Sequence, residues 1–165
     1  RTGDYEKAIE DYSKAIELNP EDEKAYVSRG IAYSRTGDYE KAIEDYSKAI
    51  ELNPDYLVYT DRAEAHLSIG KPSRALEDAQ QALELSDEIE DVAVSQMLLL
   101  ISKILLNEDV SEEKRRYREL CSEDFEVDWS FNILNRWLED ADIDSEKKEE
   151  AREIIKLLRE HKEDE

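Results

Sequence analysis

The sequence predicts an all-α protein built from stacked antiparallel helix pairs, and three observations support this fold class. The segment Arg1–Pro20 returns letter for letter at Arg35–Pro54, an offset of 34 residues. The 165-residue chain has only 4 glycines and 3 prolines, fewer than a sheet protein with many tight turns would need. Its apolar residues recur at helical spacing, and periods of roughly 20 to 50 residues are typical of solenoids. We therefore expect a repeated helical unit to build the fold.

The repeated unit is predicted to consist of a helix, a tight turn and a second helix. The first helix lies within Glu21–Ser34, and the turn lies at Thr36–Asp38, where glycine can adopt a positive φ and aspartate can cap the next helix. The second helix ends before Pro54, because proline cannot continue a helix. Small or apolar side chains fall on one face of the second helix: Ala42, Ile43, Tyr46, Ala49 and Ile50.

This unit resembles the tetratricopeptide repeat. The family's pattern of aromatic, small, turn and terminal residues is filled at each position by Tyr26, Gly30, Tyr33, Gly37, Ala42, Tyr46, Ala49 and Pro54. The resemblance implies a right-handed α-solenoid. It also implies that the first helix of each unit lines a concave groove, where proteins of this kind usually bind peptides or other proteins.

Five segments are expected along the chain. Residues 1–20 would be the turn and second helix of a truncated first repeat, residues 21–54 a full repeat, and residues 55–87 a drifted repeat. Residues 88–122 would form a degenerate helix pair that resembles the repeat, and residues 123–165 a C-terminal pair of capping helices.

Substitutions mark the drift of the later units. In the third unit, His66 and Ala79 stand where the second unit has tyrosines. In the fourth, Asn107–Asp109 replaces the glycine turn. The C-terminal segment aligns Trp129 and Trp137 on one helical face, which favours a core stripe over a ligand box.

Charge and hydropathy exclude several classes of partner. The net charge is −21, from 23 basic and 44 acidic residues, which disfavours nucleic acids and anionic membranes. The longest apolar run, Met97–Leu106, is too short and too polar to span a bilayer. No signal-peptide pattern opens the sequence. We expect a soluble, cytoplasmic protein whose partner is a neutral, mixed or basic protein or peptide.

The residue pattern predicts no catalytic residue, metal site or cofactor, and therefore no enzyme activity. His66 and His161 lack a second ligand at metal spacing, so a packing role and a surface role are expected for them. Four scattered glycines make no phosphate-binding loop. The single cysteine, Cys121, has no activating neighbours and is predicted to be a buried structural thiol.

The resemblance also indicates which side chains face the groove, namely the first-helix positions that packing leaves free. In chain order these are Lys24, Val27, Ser28, Ile31, Arg35, Leu57, Thr60, Asp61, Glu64, Ser68, Val94 and Leu98. Their mixed character suits a peptide with charged and apolar anchors. Some family members hold acidic chaperone tails with a set of lysine, asparagine and arginine side chains. This sequence does not contain that set, since Ser28 stands where an asparagine is needed.

Two other interpretations stay open at this stage: a noncatalytic regulatory or sensor domain of a longer protein, and a consensus-like engineered or structural repeat array.

The register of the repeat adds an expectation about the first copy of the repeated segment. Its packing face lacks a partner helix, so the chain is either a fragment of a longer array or a homo-oligomer joined through this face. The side chains concerned are Ala8, Ile9, Tyr12 and Ala15.

Overall fold

The computed structural model describes residues 2–123, 125 and 132–159. In this part of the chain it contains nine α-helices and no strand, which confirms the predicted all-α class. The helices are α1 (Thr2–Leu18), α2 (Glu23–Thr36), α3 (Tyr39–Leu52), α4 (Tyr56–Ser68), α5 (Pro72–Leu85), α6 (Ile89–Leu105), α7 (Ser111–Leu120), α8 (Asn132–Asp140) and α9 (Ser145–Arg159). None of these helices is both long enough and apolar enough to cross a membrane.

The turns inside the helix pairs share one backbone conformation. Gly37 ends α2 with φ 87°, and Gly70 follows α4 with φ 70°. Asp38 N–H donates to the Tyr33 carbonyl at 2.9 Å, so the turn also satisfies a carbonyl left free by the end of α2. Asn107, the predicted replacement for glycine after α6, adopts φ 61°. Asparagine tolerates this left-handed region better than other side chains, which explains the substitution.

The first copy of the repeated segment does not form the turn that its letters predict. Thr2, Gly3 and Asp4 are the first residues of α1, whereas the identical Thr36–Asp38 closes a turn. The turn at Gly37 is held by hydrogen bonds to carbonyls of α2. The prediction of a turn at the first copy was therefore wrong for Thr2–Asp4.

Helix α2 packs closely on α3 because the contacting residues are complementary in size. A Cβ atom placed on Gly30 would lie 2.7 Å from Cε1 of Tyr46, so only glycine fits against the ring. In the third unit the corresponding pair is Ala63 and Ala79, and both side chains are fully buried. The smaller side chain on α5 leaves room for the extra methyl group on α4.

A repeated polar clamp joins successive units. Arg29 of α2 donates two hydrogen bonds to Asp45 of α3, at 2.8 and 2.7 Å, and a third to Ser13 of α1 at 3.0 Å. Arg62 of α4 repeats this set with Asp78 and Ser47. Each clamp therefore ties the first helix of a unit to its own second helix and to the second helix of the preceding unit.

The C-terminal helices pack against the inner side and the end of this array. Helix α6 is surrounded by α4, α5, α7 and α9, and it contacts α9 more extensively than α7. Helix α8 reaches back to α4. Leu134, Leu138, Ile154 and Leu158 are almost fully buried in a core shared with α6. Whether α8 and α9 act as a cap for the solenoid stays a prediction.

Candidate functional site

The inner face of the helix pairs is formed by α2, α4 and α6, the first helices, which contact one another in sequence. The predicted groove residues differ widely in exposure on this face. Those that are exposed are Lys24, Ile31 and Leu57. Those that are half-buried are Val27, Ser28, Arg35, Asp61 and Ser68. Those that are buried are Thr60, Glu64, Val94 and Leu98.

The four buried residues do not line an open surface, so their predicted accessibility is corrected. The Thr60 hydroxyl donates a hydrogen bond to the Leu57 carbonyl of the same helix, at 2.8 Å. Glu64 lies beneath α8. Val94 and Leu98 belong to the core around α6. The first-helix positions of the repeat predicted that Val94 and Leu98 face the groove, but both side chains pack against neighbouring helices.

Helix α8 occupies the part of the inner face over α4. The Leu134 backbone N–H, in the first turn of α8, donates to Oε1 of Glu64 at 3.2 Å. First-turn N–H groups have no partner within their own helix, so Glu64 caps α8 from another element. Ile133, Trp137 and Leu138 are at most 9% exposed beside this contact. The open inner face is thereby limited to α2 and the adjoining side of α4.

A small cavity of about 100 Å³ lies where this open face meets α8. It is lined by Ile31, Ser34 and Arg35 of α2, Tyr46 of α3, Asp61 and Glu64 of α4, and Ile133 of α8. The Ser34 and Tyr46 hydroxyl oxygens are 3.3 Å apart in its wall. The cavity thus combines apolar, hydroxyl and charged groups.

The two carboxyl groups of the cavity are electrostatically unusual. Burial, followed by the charge of Asp61, raises the pKa of Glu64 to about 8, against the opposing effects of the Leu134 N–H and Arg35. Burial also raises the pKa of Asp61 to about 7, and Arg35 opposes it. Neither carboxyl group forms an ion pair within 4.0 Å among the described residues. Near neutral pH the cavity therefore holds a variable negative charge next to one guanidinium.

Three lining residues were missed by sequence reasoning. Ser34 is three residues from Ile31 on the same helical face, so helical periodicity could have identified it. Tyr46 was assigned to packing alone. Ile133 comes from α8, far away in sequence, and no local pattern indicates that α8 returns to α4.

A larger cavity of about 730 Å³ opens at the turn end of the helix pairs. Gly37 and Gly70 line it from the turns. Trp137 of α8, Ile143 of the link and Lys147 of α9 line it from the C-terminal helices. Lys147 is engaged there, since its Nζ donates to the Leu105 carbonyl at 3.1 Å. Trp137 packs in the core beside this opening, and Trp129 lies outside the described residues.

The residues considered for metal or redox chemistry are placed as follows. No group of three or more potential metal ligands occurs among the described residues. His66 packs with its Nε2 3.7 Å from Asp78, and burial lowers its pKa. Cys121 is half-buried rather than buried, and partial burial raises the pKa of its thiol. His161 lies outside the described residues.

Helix α1 presents the other predicted interaction residues. Ala8, Ile9, Tyr12 and Ala15 are all half-buried, and α1 packs mainly against α2. The corresponding Ala42, Tyr46 and Ala49 of α3 are at most 2% exposed. Association through the α1 face stays a prediction.

Fold and site together define a helix-pair repeat protein with a partly covered inner surface. The family model described as "Tetratricopeptide repeat" matches residues 23–56, and the model described as "TPR repeat" matches residues 1–37. Residues 1–56 therefore match the tetratricopeptide repeat family. No curated protein matches the sequence.

Solved structures of similar fold extend over the rest of the chain. MamA is 20% identical with a TM-score of 0.60, over 98% of this chain and 90% of that one. YrrB, titled a TPR protein with an unusual peptide-binding site, is 20% identical with a TM-score of 0.53, and the match covers 98% of this chain and 80% of that one. A Thermobaculum terrenum O-GlcNAc transferase is 17% identical with a TM-score of 0.57, and the match covers 82% of this chain but only 24% of that one. At these identities the likeness shows the fold alone, and this fold supports a protein-interaction scaffold in general.

Proposed function

We propose that this chain binds a peptide segment of a partner protein along the open inner face of α2 and α4, up to the first turn of α8. The observation that carries the proposal is the exposure of Ile31 and Leu57. Ile31 is 40% exposed and Leu57 is 47% exposed, although most large apolar side chains of the described residues are buried. Ile31 also lines the small cavity, and exposed apolar side chains on an inner face are suited to anchor a ligand.

The charges around these anchors favour a partner that is neutral, mixed or basic. Lys24 and Arg35 supply positive charge on α2, and Asp61 supplies negative charge on α4. The net charge of −21 would slow the approach of a strongly acidic segment. An ordered segment with at least one apolar anchor and mixed charges would therefore complement the surface, while the cavity would accept one anchoring side chain.

A substitution at Ile31 tests this site directly. A random-peptide phage library is panned on the full chain, and the selected peptides are measured against Ile31→Glu by fluorescence anisotropy. We expect the Kd to rise at least about tenfold, because a buried contact would be replaced by a charge that must be desolvated. Leu85→Glu is the matched control, since Leu85 is 44% exposed but lies on α5.

Two results would contradict the proposal. One is an equal loss of binding in the Ile31 and Leu85 variants, which would indicate nonspecific adhesion to exposed apolar residues. The other is a set of selected peptides whose affinity does not change with Ile31→Glu. Circular dichroism of both variants confirms that the helices persist.

A second candidate is a noncatalytic domain of a larger protein. It is favoured by the match to the Thermobaculum terrenum transferase, which covers 24% of that chain. The inner face would bind its segment in either case. An immunoblot of the source cells with an antibody raised against this chain separates the candidates, since a band well above 19.3 kDa supports the larger protein.

A further inference from the structure

The larger cavity at the turn end of the helix pairs has the dimensions of a small-molecule site. Its volume is about 730 Å³, within the range of roughly 300–1,000 Å³ that such sites occupy. The turns at Gly37 and Gly70 bound it on one side, and a Cβ atom placed on either glycine would have no atom within 4 Å. Among the described residues, its lining shares no member with that of the smaller cavity, so it is a separate feature of the molecule.

Apolar and aromatic side chains form much of its wall. Pro72 begins α5, Leu105 ends α6, and Ile143 lies in the link between α8 and α9. The side chains of Tyr39 and Trp137 also line the cavity. Sites for small molecules usually combine such a lining with a few polar groups. Aromatic rings also attract an ammonium group that lies over their faces.

The charged side chains of the cavity leave one negative charge unbalanced. Three carboxylates and two cations line it among the described residues, which gives a net charge of −1: Asp140, Asp142, Asp144, Arg136 and Lys147. The net charge of the whole chain, −21, has the same sign. The field of the protein therefore favours the approach of a cation and opposes that of an anion.

Two of these five charged groups already have backbone partners. Lys147 Nζ donates to the Leu105 carbonyl at 3.1 Å. Asp144 accepts an N–H of the first turn of α9 at 2.7 Å, and neither Asp140 nor Asp142 forms an ion pair with a described residue. An arriving cation would therefore find carboxylates that need not give up a partner.

The segments of the chain outside the described residues adjoin the other ends of the helices that bound the cavity. Residues 126–131 precede α8, whereas the cavity is lined by the later residues of α8. These six residues contain two acidic side chains and no lysine or arginine. Residues 160–165 follow α9, and at about 1.5 Å per residue the last residue of α9 is roughly 18 Å from Lys147. Neither segment matches the cavity in both position and charge.

We propose that this cavity binds a small organic cation that carries one ammonium group on an aromatic or apolar body. The ammonium group would lie beside Asp142, and the body would contact Trp137, Pro72 and Ile143. A neutral molecule of the same shape would leave the negative charge of the cavity unbalanced. A lysine side chain of a protein partner is a poorer occupant, because its aliphatic stem would leave much of the aromatic wall without contact.

The probe is 4-phenylbutylammonium, measured against the full chain by isothermal titration calorimetry. At about 0.15 M salt, diffuse attraction to the net charge of the protein is screened. We expect saturable binding with a Kd below about 1 mM. The neutral 4-phenylbutan-1-ol and the anion 4-phenylbutyrate have the same body and should bind at least about tenfold more weakly.

Two variants separate binding in the cavity from a general effect of charge. Asp142→Asn removes the unpaired carboxylate and should raise the Kd of the ammonium probe at least about fivefold. Glu139→Gln removes an exposed charge on α8 outside the lining and should change the Kd less than about twofold. Equal effects of the two variants would overturn the proposal, and so would equal binding of the three probes or the absence of saturable binding.

Chemical-shift mapping of the ¹⁵N-labelled chain checks the position of the probe. We expect the largest shifts at Gly70, Ala141 and the indole N–H of Trp137, whereas shifts centred on Ile31 would place the probe on the open inner face and overturn the assignment to this cavity. The blocked peptide acetyl-Ala-Lys-Ala-amide should bind at least about tenfold more weakly than the ammonium probe. Tighter binding of this peptide would assign the cavity to a lysine side chain of a protein and overturn the proposed class of ligand.

Discussion

Glu64 shows how a single residue connects packing to the shape of the site. Its side chain is 3% exposed and accepts the Leu134 N–H, so it fixes α8 over the inner face. Burial raises its pKa to about 8, above an ordinary value of 4.5. Because the folded pKa is higher than the unfolded pKa, the protonated group favours folding. This contribution is complete below about pH 4.5 and is lost as the pH rises through about 8.

Replacing this carboxyl group should change the pH dependence of stability. Glu64→Gln keeps an oxygen that can accept the Leu134 N–H, but it removes the buried charge. We expect the melting temperature to match the wild type near pH 4, where the carboxyl group is protonated in both states, and to exceed it at pH 9 by roughly 2–4 °C for each 1 kcal/mol of stability gained. Differential scanning calorimetry measures this difference. Glu44→Gln, at an exposed site on α3, should show no such pH dependence, and an equal gain at both pH values would contradict the interpretation.

At the scale of helices, the clamps of Arg29 and Arg62 tie each first helix to two second helices. Both arginines are less than one-fifth exposed, and their aspartates are 6% exposed. A broken ion pair in such surroundings leaves a buried charge without its partner, which is costly. The clamps therefore stabilise the stacking of units as well as the pairs themselves.

Arg62→Ala should lower the free energy of unfolding by roughly 3 kcal/mol, because Asp78 would lose two hydrogen bonds in a buried site. Urea denaturation followed by circular dichroism measures the loss. Arg74→Ala is the control, since the pair of Arg74 with Glu77 is more than half exposed and should contribute less than about 1 kcal/mol. Similar losses in both variants would refute the stabilising role of the clamp.

The helices were largely predictable from sequence, because their signals are local. Periodic tyrosines and small residues, Gly37 and Pro54 each act within a turn or two of the chain. The same locality explains one error, since Thr2–Asp4 continues α1 where the letters predict a turn. The contact of α8 with Glu64 could not be predicted, because α8 lies about 70 residues further along the chain.

For the whole molecule, the decisive feature is the position of α8 on the inner side of the array. It buries Ile133, Leu134, Trp137 and Leu138 and removes part of the predicted groove from solvent. The remaining open face carries Ile31, next to the cavity at the start of α8. The account therefore predicts a shortened binding surface over α2 and α4.

Chemical-shift mapping of the ¹⁵N-labelled chain with a peptide selected by panning tests this claim most directly. We expect the largest amide shifts at Val27, Ile31, Arg35 and Leu57, with small shifts along the α5 surface around Leu85. Shifts concentrated on α5, or shifts that leave α2 unchanged, would contradict binding on the open inner face.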